Sequence, residues 1–331
     1  MTHTDTPETA PVLTDARKTT ATALLVLATV LAGTLGPMQA AVNGELGSWL
    51  ADGHAAALIS FGTGLILMII VILARSRTRR QALAIPRIIK ERRIPWPNFL
   101  AGLCGAVIVL SEGVSVGTLG VATFQISLIS GLVISGVVCD RFGVGVPFKV
   151  PLSLPRVAGA VLAIASTVIV MSPNFRAPDV IALALLPFAG GLLAGWQPAG
   201  NSNVAKATGS MYVAIGWNFL VGFTALLIAY LVRAALGGVD FSLPDTWWMY
   251  LGGPLGLASI ALMALLVRGL GLLLLGLAST AGQLIGAVAI DGLVPALGNT
   301  VHAVTIVGTL VALVAAGIAM VPPRSAAASD A

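Results

Sequence analysis

Charge is what this sequence has least of. Only 9% of its 331 residues are charged, while 57% are hydrophobic and the mean hydropathy is +0.98. A soluble domain carries roughly 25% charged residues, so this chain has too little polar surface to coat a globule in water. Histidine and cysteine are scarce as well, at three and two. No CxxC or Cys/His spacing suggests a metal site, and Cys104 and Cys139 fall on different apolar segments, where they read as small core residues rather than a disulfide. There is no Walker loop, no HExxH and no nucleophile–base constellation. Those absences argue against an enzyme and imply no cofactor and no metal.

The charges that are present cluster. From Ala21 to Ala74 the only acidic residues are Glu45 and Asp52, and no Lys or Arg occurs. Eight of the eighteen basic residues lie between Arg75 and Arg93, beside an apolar run. The net charge of +5 therefore reads as a cytoplasmic loop facing anionic lipid headgroups, not as a nucleic-acid surface. Arg17-Lys18 followed by an apolar stretch has the outline of a signal peptide. The leader before it is long and partly acidic, however, and the same segment recurs in mid-chain. Residues 1–20 and 323–331 are read as cytoplasmic tails, the first of them disordered.

A membrane-spanning helix needs about 20 mostly apolar residues. Ten such segments can be placed, at 21–41, 54–74, 97–116, 119–139, 154–172, 179–199, 210–234, 247–267, 270–290 and 300–321. They are too long and too continuously apolar for barrel strands, so the fold class is an all-α integral membrane protein. With the N-terminus inside, sixteen Lys and Arg face the cytoplasm and only Arg176 and Arg233 face outward. That excess predicts both termini on the cytoplasmic side.

The chain also repeats itself. Gly33, Gln39, Asn43, Phe61 and Gly64 match Gly191, Gln197, Asn201, Phe219 and Gly222 at a spacing of 158. Trp96, Leu100, Gly102, Gly105, Gly120, Gly131 and Asp140 match Trp247, Leu251, Gly253, Gly256, Gly271, Gly282 and Asp291 at 151. Chance matches Gly or Leu in so apolar a chain, but not Gln, Asn, Trp and Asp in order with one gap. Each half, 21–172 and 173–322, has five predicted spans. An odd number inverts the second copy relative to the first, and inverted repeats are the architecture of many secondary transporters, with the ligand site near the midplane where the repeats meet.

The segments from Gly36 to Gly47 (GPMQAAVNGELG) and from Ile59 to Gly64 (ISFGTG) resemble the YdcZ-like branch of the drug/metabolite transporter superfamily. The stretches Tyr250 to Gly256 and Ala281 to Leu284 do so too, and the resemblance covers about residues 25–320. It implies five-helix units, here fused into a ten-helix form, and an inner-membrane exporter; it brings no binding residues with it. Glu45 and the replacement of the Gly282-Gln283 pair by Gly131-Leu132 depart from the pattern.

Candidate residues follow from polarity inside apolar runs. Gln39 and Asn43 share one helix face, and Gln197 and Asn201 repeat them. They either bind a solute at the repeat interface or hold helices together by hydrogen bonds. Asn218, Gln125 and Gln283 are further pathway candidates, and Asn203 a weaker one. Glu112, inside the third span with Met263 as its counterpart, is the candidate for ion or proton coupling, because a carboxylate there costs several kcal/mol and is functional by default. Glu45 and Asp52 are expected to be solvated in an outer loop, and Asp140 and Asp291 to meet loop partners or water. Gly36-Pro37 and Gln197-Pro198 should kink the first and sixth helices beside the polar pairs. The sequence thus points to a secondary transporter of a small organic solute, with membrane lipids as surroundings, protons as a candidate coupling ion and a homodimer left open. The alternative is a non-transporting membrane scaffold. A transporter predicts a polar cavity lined by Gln39, Asn43, Gln197 or Asn201, a scaffold a solid apolar core there.

Overall fold

A computed structural model describes residues 15–144, 149, 151–174, 177–236, 243–294 and 301–321. Arg176, Arg324, the C-terminal tail and most of the N-terminal tail lie outside them. The described residues form helices and turns, with no strand among them.

The first predicted span is two helices, α1 (Asp15–Gly33) and α2 (Leu35–Trp49). The cause is Pro37, which has no N–H to give the carbonyl four residues back and whose ring clashes with it; that carbonyl belongs to Gly33, where α1 stops. The sixth span behaves alike. α9 (Pro178–Ala194) ends four residues before Pro198, and α10 (Gln197–Thr208) continues beyond the break. The expected kinks are therefore present, but the helices run on past the predicted ends at 41 and 199. Glu45 consequently sits on α2 rather than in a loop, and Asn43 lies on the same helix as Gln39.

Between these lie α3 (Gly53–Leu73), the short α4 (Ser76–Leu83) and α5 (Ile85–Lys90), α6 (Gly102–Leu119), α7 (Val121–Phe142) and α8 (Leu154–Met171). The second stretch closes with α11 (Met211–Ala235), α12 (Gly252–Leu293) and α13 (Ala303–Ala319). The basic segment, expected as a loop, is thus mostly helical. α12 joins two predicted spans in one run interrupted at Gly271, whose φ of 71° and ψ of 169° are open essentially to glycine alone. Gly120, between α6 and α7, adopts φ 79° and ψ 160°.

Among the described residues eight helical segments are long and apolar enough to cross a membrane, and Gly252–Leu266 and Ala303–Ala319 are shorter apolar helices. Apolar side chains face outward along them, including Ile66 and Ile70 on α3, Val161 on α8 and Leu310 on α13. A soluble fold would bury such rows; in lipid they meet the acyl chains.

Glycine sets how closely the helices pack. A methyl group built on Gly33 of α1 would come 2.6 Å from the Ser279 carbonyl and 3.0 Å from the Gly282 Cα of α12. One built on Gly131 of α7 would strike the Phe188 carbonyl of α9 and lie 3.1 Å from Gly191. α3 and α11 cross at Phe61 and Phe219, whose ring centroids are 5.2 Å apart, each ring filling the space left by the other helix's Gly222 or Gly64.

Candidate functional site

The polar residues singled out above fall into three buried or half-buried groups: between α2 and α6, between α10 and α11, and around Gly36. Glu112 is 4% exposed, not at a wet helix end, and its Oε2 accepts a hydrogen bond of 2.6 Å from Asn43 Nδ2 of α2. No described cation pairs with it. Ser111 and Ser115 turn to their own helix, donating to the Ile108 and Ser111 carbonyls, so they leave Glu112 to Asn43. The second Asn43 atom, Oδ1, is buried and makes no hydrogen bond. It lies against Gly252 at the start of α12, where Ser60 Oγ of α3 also arrives.

The second group joins α10 and α11. Asn218 accepts from Gln197 Nε2 at 3.3 Å and donates to Asn201 Oδ1 at 2.9 Å. Gln197 reaches α6 at Gly105, where a methyl group would be 2.9 Å from its Nε2. Gly105 and Glu112 are seven residues apart, so they share a helix face about 10 Å apart along the axis. Val109, on the intervening turn, belongs to an apolar cluster with Phe61, Phe219 and Ala106. Gln39, half-buried on α2, faces Gly256 of α12, its Oε1 2.8 Å from where a Cβ would stand.

The third group flanks Gly36. Gln125 of α7 is 2% exposed with Oε1 unpartnered, and both its Nε2 and the Gln283 Cγ of α12 would lie 3.8 Å from a methyl group there. Gln283 donates to Ser279 Oγ at 3.2 Å. Asn203 turns away, donating to Asn98 Oδ1 at 2.8 Å. The structure has cavities of about 260 and 300 Å³ near α4 and α5, and none of these candidate residues lines either one. Gln39, Gln197, Asn201 and Gln283 are half-buried and Asn43, Glu112, Gln125 and Asn218 buried, so the interior there is polar and not the solid apolar core a scaffold predicts.

The remaining acidic residues differ from expectation. Asp52 is buried, not solvated: it caps α3, accepting from the His54 and Ala55 amides at 2.9 and 3.3 Å, and takes Arg233 Nη1 at 2.7 Å. Burial works against the Asp52 carboxylate, but Arg233 and the two amides outweigh it and hold the group below the usual carboxylate range. The partnership was missed because its members are 181 residues apart; the only signal was two opposite charges on the side poor in charge. Asp291 reaches a helix end: its two oxygens accept from the Val121 and Ala122 amides at 2.9 and 2.8 Å and cap α7. Asp140 pairs with Arg156 at 2.6 Å. Both cysteines are free. No group of three or more His, Cys, Asp or Glu suited to a metal occurs among the described residues.

Comparison with known proteins adds what geometry cannot. No curated protein matches the chain. A family model described as putative inner membrane exporter, YdcZ, matches residues 24–169 and 182–320. Those two stretches take in most of the sequence and all three polar groups, and the chain belongs to this YdcZ family of drug/metabolite transporter type.

Proposed function

We propose that the protein is a secondary transporter that moves a small organic solute across the inner membrane by alternating access, in the export direction, with Glu112 exchanging a proton. Family membership and the apolar helices make it a multi-pass inner-membrane transporter rather than an enzyme. The observation that carries the finer reading is the Glu112–Asn43 pair: a carboxyl group inside an apolar bundle, bonded at 2.6 Å to an amide and to no described cation. A purely structural role is served more cheaply by an apolar side chain, so an intramembrane carboxyl marks an ion or substrate path.

The ten-helix, inverted-repeat architecture is part of the proposal. It takes Gly252–Leu266 and Ala303–Ala319 as the two spans beyond the eight long ones. It is supported by one family model matching two consecutive stretches and by the helix breaks at Gly33 and Ala194, each four residues before a proline. The contacts are reciprocal: Gly33 meets Gly282 as Gly191 meets Gly131, and Gly105 meets Gln197 as Gly256 meets Gln39. Gly120 and Gly271 share one rare backbone conformation. We take both termini as cytoplasmic, because this puts the basic α4–α5 segment inside.

Alternating access needs a seal at each end, opened in turn. The Asp52–Arg233 ion pair ties the start of α3 to the end of α11. Its counterparts at a spacing of 158 are Ser210 and Arg75, which offer no such pair. On this reading the two ends are closed unequally, the ion pair making the α3–α11 end the firmer seal.

The test is a thermal-shift screen of small metabolites and organic cations on purified protein, followed by flux of the stabilising compound in proteoliposomes under a pH gradient. Glu112→Gln should abolish pH-driven flux while leaving the melting profile in place. Undiminished pH-driven flux in that variant overturns the coupling role.

A further inference from the structure

The segment between α3 and α6 is richer in charge than any other part of the chain, yet it is not a loose loop. α4 and α5 pack down on the bundle through Ile85 and Ile88, which are buried against Val204, Val213 and Phe99. Gln81 Nε2 donates to the Gly209 carbonyl at 3.0 Å, and Thr78 Oγ1 ties α4 to the end of α3 through the Ile72 carbonyl at 2.7 Å. The segment is thus fixed over the ends of α3, α10 and α11.

Beneath it lies an apolar cavity of about 300 Å³ between α3 and α11. Its walls include Leu65 and Ile69 of α3, Gly216 and Leu220 of α11, and Leu83 and Pro86 of the covering segment. It opens outward: Leu83 is 80% exposed, Ile69 45% and Leu220 41%. In a membrane that opening faces acyl chains.

Helix periodicity sets cations at its rim. Arg79 stands one turn before Leu83 on the same face of α4, and Lys90 one turn after Pro86 on α5. Arg80 lines the second cavity, of about 260 Å³, on the other side of the same segment. Glu91 engages Arg87 and Arg93, both at 2.6 Å, while Arg79, Arg80 and Lys90 are exposed and form no ion pair among the described residues.

We propose that this place is a binding site for an acidic phospholipid, with an acyl chain in the apolar cavity and the headgroup phosphate on Arg79 and Lys90. The occupant follows from complementarity: an open apolar slot at membrane depth, rimmed by uncompensated cations, fits an amphiphile with an anionic head. A neutral lipid leaves the cations unused, and a soluble phosphate leaves the slot empty. The inference rests on the membrane placement of the chain and not on the transport reading.

Native mass spectrometry of the purified full-length protein tests it with phosphatidylglycerol and phosphatidylcholine added together, and with glycerol phosphate as a soluble competitor. Phosphatidylglycerol should be retained in preference, and replacing Arg79 and Lys90 by Gln should reduce that preference roughly fivefold for each cation removed. Leu83→Gln, on a side chain too exposed to disturb folding, should weaken both lipids by polarising the slot. Equal retention of the two lipids by the unaltered protein overturns the proposal. So does full competition by glycerol phosphate, which leaves an anion site without a lipid. Because both lipids are read in one spectrum, a poorly folded variant loses both together and is told apart from lost selectivity; Arg79→Gln alone then serves as the milder variant.

Discussion

Glu112 and Asn43 are worth most to each other. The carboxyl group has no described cation, so the amide hydrogen bond at 2.6 Å is its compensation in the bundle. Removing the amide while keeping the carboxyl leaves a buried polar group without a partner, which costs about 1–3 kcal/mol. Asn43→Ala should therefore lower the thermal midpoint, and Glu112→Gln in the same background should recover much of the loss, because the uncompensated acid is gone. A double-mutant cycle by thermal melting in detergent reads this directly, and additive losses would show that the two side chains do not depend on each other. The residue types of this pair were legible in the sequence, since a carboxylate and an amide inside apolar runs stand out against 9% charge. Their meeting was not, because it depends on how α2 and α6 lie together across a separation of 69 positions.

At the scale of elements, local chemistry decides what can be read beforehand. Pro37 and Pro198 announced the breaks after Gly33 and Ala194, since a missing N–H acts on a carbonyl four residues away. The continuation of α2 to Trp49 and α10 to Thr208 was hidden: both pass through stretches of weak hydropathy and are held by packing instead. The backbone at Gly120 and Gly271 belongs to a region that side chains avoid, so Gly120→Ala or Gly271→Ala should cost about 1–3 kcal/mol each. Nothing lies within 4 Å of the position a Gly271 Cβ would take, which makes backbone conformation the whole of the expected loss there. The α3–α11 latch makes a further case. The folded Asp52 carboxyl sits below its unfolded value, so the stability it contributes is present above the ordinary carboxylate range and lost as pH falls through the lowered value. His54, 3.7 Å from Asp52, is another titratable group at that end. Asp52→Asn keeps the helix cap and removes the ion pair; it should speed labelling of a cysteine placed nearby on α11 from that side. Ser210→Asp, set by the antiparallel crossing near Arg75, should slow labelling at the opposite end. Unchanged labelling in both variants would remove the latch from the gating scheme.

For the whole molecule, the important feature is that its two sequence halves do not form two separate bodies. α1 packs on α12 and α9 on α7, so each half lends a helix to the other, while α3 and α11 cross between them. The glycine contacts at Gly33, Gly131, Gly191 and Gly282 leave no room for a methyl group, and helices in lipid associate through such close packing because no hydrophobic force separates them from the acyl chains. A half expressed alone would expose these glycine faces and the buried amides of Asn43 or Asn218 to lipid, where an unpaired polar group is costly. Cutting the chain in the stretch between α8 and α9 should therefore leave two fragments that are degraded when made singly and that co-purify when made together. The same fragments test orientation. If each has the proposed odd number of spans, the first begins and ends on opposite faces of the membrane, and a reporter fused after Asn174 should report the periplasm and one fused to the C-terminus the cytoplasm. Both reporters in the cytoplasm would mean an even number of crossings in the first half, and the inverted relation would then fail however well the helices match.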